Sequence, residues 1–308
     1  MKILVTGASG RIGRAVVVRL ARQHQVQGLD HAPSSTAHWV GDVGDADLLH
    51  RALQGVDVVV HTAALHAPQV GRVPDPEFMR VNVDATRTLA EAACAAGVGQ
   101  LVYTSTTALY GTAATPAGAA GWVDEALPPQ PRTIYHRSKL AAEQLLARLA
   151  DAGAFGLTVL RMSRCFPETA PQMACARLHR GVDARDVADA HALALDTARP
   201  GSRIYIVSGT TPFQAADLAA LKTDAPAVLR LRAPALVQAF AERGWALPAS
   251  IDRVYSPALA QRELHWQPRH GFADVLRQLD DASPEVLPPG FLAAEPGLRL
   301  PGQAEDCR

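Results

Sequence analysis

From Lys2 to Arg161, short apolar runs alternate with longer segments whose apolar positions recur every three or four residues. The short runs read as strands buried on both faces, and the longer segments as amphipathic helices. The pattern predicts strands over Lys2–Thr6, Gln25–Leu29, Val56–His61, Leu101–Ser105 and Leu157–Arg161. It predicts helices over about Arg11–Gln23, Asp47–Gln54, Pro76–Ala96 and Ile134–Ala150. Strands alternating with helices imply a parallel sheet with right-handed crossovers, an α/β fold. Past Arg161 the alternation weakens. A helix over Asp183–Thr197 and a strand over Ser202–Val207 are still expected, but beyond Gly209 the segments are shorter and interrupted by proline. We therefore expect a main domain over residues 1–165 and remaining sheet elements with a small lobe over 166–280. Residues 281–308, rich in Pro and Gly, read as a tail.

Composition narrows the options. The chain has 308 residues, which suits one large α/β domain or a large domain with a small lobe. Lys plus Arg equal Asp plus Glu at 30 each, so no net charge attracts nucleic acid or an anionic membrane. Arg177, Arg180 and Arg185 are the candidates for a local basic patch, with a solvated surface as the plainer reading. Cys94, Cys165, Cys175 and Cys307 form no Cys-x-x-Cys pair, and a chain of this length needs no disulfide staples. Reduced thiols and a cytoplasmic location are the expectation. The histidines show no metal-ligand spacing, so no metal is expected. No apolar run is long enough to span a membrane.

Gly7, Gly10 and Gly13 lie between the first predicted strand and the first predicted helix. Residues without a β-carbon let the backbone approach a pyrophosphate, and the helix N-terminus turns its free N–H groups toward the anion. Asp30 ends the second strand about 20 residues later, where an acid can bind ribose hydroxyls and repel a 2′-phosphate. This favours NAD over NADP. Asp42-Val43 lies in a later loop that could meet the adenine, although Asp42 is equally suited to capping a helix. The fold expected is then a Rossmann-type doubly wound parallel sheet with a small C-terminal substrate lobe.

Tyr135 and Lys139 are four apart, on one face of a predicted helix. A nearby ammonium favours the phenolate of a tyrosine, giving a group able to exchange a proton with an alcohol. Lys139 could also hold a nicotinamide ribose. Ser105 and Thr106 follow a strand end, where ligands bind in open parallel sheets, and either hydroxyl could orient a substrate oxygen. Turn chemistry alone would also explain a Ser/Thr run there.

These motifs occur in order: Thr6-Gly7-Ala8-Ser9-Gly10-Arg11-Ile12-Gly13, His61-Thr62-Ala63-Ala64, Asn82-Val83, Ser105-Thr106 leading to Leu109-Tyr110-Gly111, and Tyr135-x-x-x-Lys139. Together they resemble the extended short-chain dehydrogenase/reductase superfamily, in its NAD-dependent epimerase/dehydratase branch. The resemblance covers roughly residues 1–165. It implies that Gly7, Gly10, Ile12 and Gly13 line the pyrophosphate, that Asp30 binds ribose, and that Asp42 and Val43 meet the adenine. It implies that Ala63 and Ala64 pack beside NAD, with Asn82 close by. Tyr135 would be the acid/base, Lys139 its partner, and Thr106 the catalytic hydroxyl with Ser105 as its neighbouring alternative. Family members often dimerise through two helices, so a homodimer is the implied assembly.

After Arg161 the chain departs from nucleotide-sugar enzymes, which carry a long insertion there. The compact stretch through Val187 is more similar to uronate dehydrogenases and related sugar oxidoreductases. Arg164 is the candidate clamp for an anionic group, with a structural salt bridge as its alternative. His66 and Gln69 follow the third predicted strand and could face a substrate. The leading expectation is hydride transfer to or from a small sugar or sugar acid. The rivals are a nucleotide-sugar 4-epimerase with retained NAD and a non-catalytic dinucleotide sensor.

Overall fold

In the computed structural model, which describes residues 1–197, 200–283, 285 and 286, the apolar runs become parallel strands. The strands are β1 (Lys2–Thr6), β2 (Gln25–Asp30), β3 (Trp39–Val40), β4 (Val58–His61), β5 (Gln100–Thr106), β6 (Gly121–Val123), β7 (Gly156–Met162), β8 (Ser202–Val207) and β9 (Arg253–Tyr255). Seven of them form one parallel sheet in the order β3-β2-β1-β4-β5-β7-β8, the doubly wound arrangement that the alternation predicts. β6 and β9 make a separate parallel pair.

Strand alternation sends side chains to two different cores. Ile3, Val5, Val58, Val60 and Val102 meet α1 (Arg11–Leu20) on one face. Leu4, Val59, Leu101, Tyr103 and Val159 meet α2 (Ala46–Ala52) on the other. The chain then runs through α3 (Asp75–Met79), α4 (Ala85–Ala95), α5 (Ile134–Asp151), α6 (Ala170–Ala176) and α7 (Ala184–Leu195). α7 packs beside α1, whereas α4 and α5 share the core of α2. Then come α8 (Leu218–Thr223), α9 (Ala225–Arg232), α10 (Pro234–Glu242), α11 (Ala258–Glu263) and α12 (Phe272–Asp280). Residues of α6, α8, α9, α10 and α12 enclose a third apolar core with Ile251 and Val254.

Several sequence expectations change. The helix expected over Pro76–Ala96 is interrupted by a π turn at Arg80–Asp84. The widened turn carries Asn82, whose amide reaches both Leu65 and Ser138, and such turns often mark a functional position. The first helix ends at Leu20 rather than near Gln23. β3, β6 and β9 are two or three residues long, too short to leave a periodic signal. The arginines of the candidate basic patch meet carboxylates: Arg177 and Arg185 share Asp183, and Arg180 lies 4.0 Å from Asp252, which also holds Arg253. Most of the Pro/Gly-rich tail, from residue 287 onward, lies outside the described residues. Among the described residues no helix is long and apolar enough to cross a membrane, and no cluster of three potential metal ligands occurs.

Candidate active site

The chain leaves β1 through Gly7 at φ 71°, a backbone region costly for residues with a side chain. A β-carbon on Gly7 would lie 2.6 Å from the Ala63 nitrogen, and one on Gly13 would lie 2.0 Å from the Gly7 oxygen. The Gly10 N–H donates to the Gly7 carbonyl at 3.1 Å, closing the turn. No side chain caps α1 at Gly10 and no acid lies in its first turn, so its first N–H groups, which follow the C-terminal end of β1, are left without a side-chain partner, as suits a bound pyrophosphate.

Asp30 lies at the C-terminal end of β2 and is buried. One carboxylate oxygen accepts the Ser9 N–H at 2.9 Å and the other the Ala32 N–H at 2.9 Å. The acid thus braces the glycine turn. Sequence reasoning missed this bracing, although an acid at a strand end beside a glycine turn is its visible signal. Ala63 and Ala64 are half-buried beside Gly7, and Ile12 packs on the core beneath α1. Asp42 is exposed on the loop after β3. The Gly44 N–H and Arg80 hold its carboxyl below its ordinary range despite partial burial. The Val43 side chain is buried with Leu29 and Leu48, so only its backbone is free to face an adenine.

Thr133 caps α5, accepting the His136 N–H at 3.3 Å, and so sets Tyr135 in the first turn. Lys139 and Glu143 follow at four-residue spacing on the same face. The Thr106 hydroxyl beside Tyr135 eases ionisation of the phenol, but burial dominates and raises it to about 12. Thr106 accepts the Ala108 N–H at 3.1 Å. Both candidate hydroxyls are buried, and that of Ser105 has no partner among the described residues. Alternation along β5 puts Ser105 on the face of Tyr103, toward α5, and Thr106 on the face of Thr104, whose hydroxyl meets His191 of α7, so it does not choose between the two.

Lys139 is buried, and burial lowers its ammonium to about 7, with Glu143 opposing that effect. Its Nζ donates to the Thr104 carbonyl at 2.7 Å and lies 4.1 Å from the centre of the Tyr103 ring. Glu143 is itself held by Arg161, with Nη2 to Oε2 at 2.7 Å. Arg161 Nη1 donates to the Tyr110 hydroxyl at 3.0 Å. This buried pair was not anticipated from the sequence, because its members lie on different elements.

His66 is exposed at the mouth, its ring edge-on to Tyr135 with centroids 6.5 Å apart. Loss of water around the ring and the Lys139 charge hold it below its ordinary range. Gln69 accepts the His66 N–H through its side chain and so shapes the loop. Of the two readings given for Arg164, a clamp for an anionic group or a structural salt bridge, the structure shows an ion pair. Its guanidinium meets the Glu168 carboxylate with two N–H groups and covers the Phe166 ring.

The family model of the NAD dependent epimerase/dehydratase family matches residues 3–177. The chain is 35% identical to an L-arabinose 1-dehydrogenase (NAD(P)(+)) of Haloferax volcanii over 52% of its length. That match spans 65% of the arabinose enzyme, a little under two thirds. A dTDP-glucose 4,6-dehydratase of Streptomyces antibioticus is 30% identical over 91% of the chain and 92% of the dehydratase. A short-chain dehydrogenase/reductase superfamily protein of Agrobacterium tumefaciens, solved with bound NAD, shares the fold. It gives a TM-score of 0.70 at 24% identity, over 92% of this chain and 97% of that one.

Proposed function

Because the chain belongs to the NAD-dependent epimerase/dehydratase family and is an NAD-dependent enzyme, we propose that it oxidises or reduces a hydroxyl-bearing carbon of a small free sugar or sugar acid, with Tyr135 moving the proton. NAD, when bound, supplies the two-electron exchange. The backbone of Gly7, Gly10, Ile12 and Gly13 holds the pyrophosphate, and Asp30 binds the adenosine ribose. Ala63 and Ala64 flank the dinucleotide, and Asp42 with the Val43 backbone borders the adenine. Asn82 fixes the loop at Leu65 against α5.

The observation that supports this reading is the placement of Tyr135, in the first turn of α5, beside Thr106 at the C-terminal edge of β5, with the buried Lys139 one turn further along the helix. The phenol accepts the proton of a substrate hydroxyl in oxidation and returns it in reduction. Thr106 aligns that hydroxyl, and the Lys139 charge favours the phenolate against the raising effect of burial. His66, beside Tyr135, borders the substrate. The intact pair of Tyr135 and Lys139, together with family membership, removes the sensor reading.

Substrate size follows from what lies between β7 and α7. Only residues 163–183 separate them, with α6 as their one helix. Two of their three arginines are engaged internally, Arg164 with Glu168 and Arg177 with Asp183, while Arg180 lies 4.0 Å from an Asp252 carboxylate that Arg253 holds more closely. A nucleotide diphosphate therefore meets at most one loosely held cation from this stretch. A free sugar needs only neutral hydrogen bonds. The match to a dTDP-glucose 4,6-dehydratase along 91% of the chain favours a second reading, in which a nucleotide sugar is the substrate.

Transfer of deuterium tests the proposal. An aldose or uronate deuterated at its reacting carbon is expected to give deuterated NADH by mass spectrometry. Turnover with no deuterium in the cofactor contradicts it. The Asp30 assignment gives a separate expectation: NAD binds more tightly than NADP, because two negative charges brought together cost several kcal/mol. Asp30→Ala should narrow that gap by roughly tenfold or more. Equal affinity of the unaltered protein for both dinucleotides removes the role given to Asp30.

A further inference from the structure

We propose that Tyr103 is a positioning residue whose ring face carries the Lys139 ammonium and fixes where that charge sits relative to Tyr135. The inference rests on the proposed proton transfer at Tyr135 only for its catalytic meaning, because the contact itself is a property of the fold. Tyr103 lies on β5, facing α5, and is 1% exposed. The Lys139 Nζ is 4.1 Å from its ring centre, within the range at which the negative face of an aromatic ring attracts a cation. The Thr104 carbonyl takes one ammonium proton at 2.7 Å, so carbonyl and ring together define the position of the charge.

Two further observations indicate that the ring, not the hydroxyl, is what matters at this position. The Tyr103 hydroxyl is buried and has no partner among the described residues. Burial raises its ionisation well above the ordinary range, with Glu143 and Tyr135 adding to that, so it stays protonated. Behind the ring, His61 stacks with centroids 5.5 Å apart at 29°. His61 is fixed by Thr6 at 2.6 Å and Thr86 at 2.8 Å. Burial, with the Lys139 charge, lowers the imidazole to about 3, so the stack is neutral. The shelf under Lys139 is therefore rigid and adds no competing cation.

Other groups also act on Lys139. Glu143 and Tyr135 share its helix, His61 comes from β4, and His66 from the loop after β4. Arg161 of β7 offsets Glu143 by pairing with it. The ring contributes beside these, and its share is separable because it depends on π-electron density rather than on charge.

The test reads the ammonium directly. The chain has only three lysines, Lys2, Lys139 and Lys222, so ¹³C-labelled lysine gives an assignable NMR titration. Tyr103→Phe keeps the ring face and is expected to leave the Lys139 midpoint in place. Tyr103→trifluorophenylalanine keeps the shape but drains the ring face. It should lower the midpoint by about half to one and a half units, because an ammonium that loses ring attraction gives up its proton more readily. An unchanged Lys139 midpoint on fluorination overturns the proposal. If Lys139→Met retains turnover, the proposed function fails instead, while the titration still decides the role of Tyr103.

Discussion

Tyr135→Phe is expected to lower turnover by about 10²–10⁴-fold, the contribution of one positioned acid/base, with NAD affinity nearly unchanged. The phenolic oxygen lies beside Thr106, and the ring packs against Phe78 and Ile134. Removing the oxygen therefore leaves the ring contacts and the glycine turn intact. Thermal stability should hold, which separates a chemical loss from a folding one. Stopped-flow or steady-state kinetics on a true substrate provide the check. Near-native turnover by the variant means that another group moves the proton.

The second large effect concerns stability. Glu143→Ala is expected to cost about 3–5 kcal/mol, lowering Tm by on the order of 10 °C. Both members of the Arg161–Glu143 pair are buried, and three N–H···O contacts between them measure 3.1, 3.2 and 2.7 Å. Removing the acid leaves an uncompensated guanidinium between β7 and α5. Tyr110 alone, at 3.0 Å, cannot balance its charge. A calorimetric scan that finds Glu143→Ala as stable as the parent chain removes the pair from the stabilising framework. The same change takes from Lys139 the nearby charge that opposes the effect of burial, so its titration should move further down.

How much of this was legible in the sequence depends on whether the signal was local. The strands of the main sheet declare themselves because both faces are buried, so runs such as Val58-Val59-Val60 are continuous. The glycine turn and the four-residue spacing of Tyr135 and Lys139 are local too. The π turn at Arg80–Asp84 is not, since it exists to bring Asn82 to Leu65 and Ser138, which come from distant segments. The same holds for the short β6 and β9 pair, whose strands lie more than a hundred residues apart in sequence. The sequence left Arg164 between a clamp and a salt bridge, because Glu168 is only an acid four residues away until the loop folds around it.

The most direct measurement of the central claim is NADH absorbance in the unaltered enzyme. It would be followed across free aldoses, free uronates and UDP- or dTDP-sugars, with product analysis alongside. A small sugar or sugar acid fits the short β7–α7 stretch, in which Arg164 and Arg177 are ion-paired, and an exchangeable cofactor then accumulates as NADH. The account expects steady NADH formation with a free sugar or sugar acid and none with the nucleotide sugars. Conversion of a nucleotide sugar without net NADH, and no reaction of any free sugar, contradicts it.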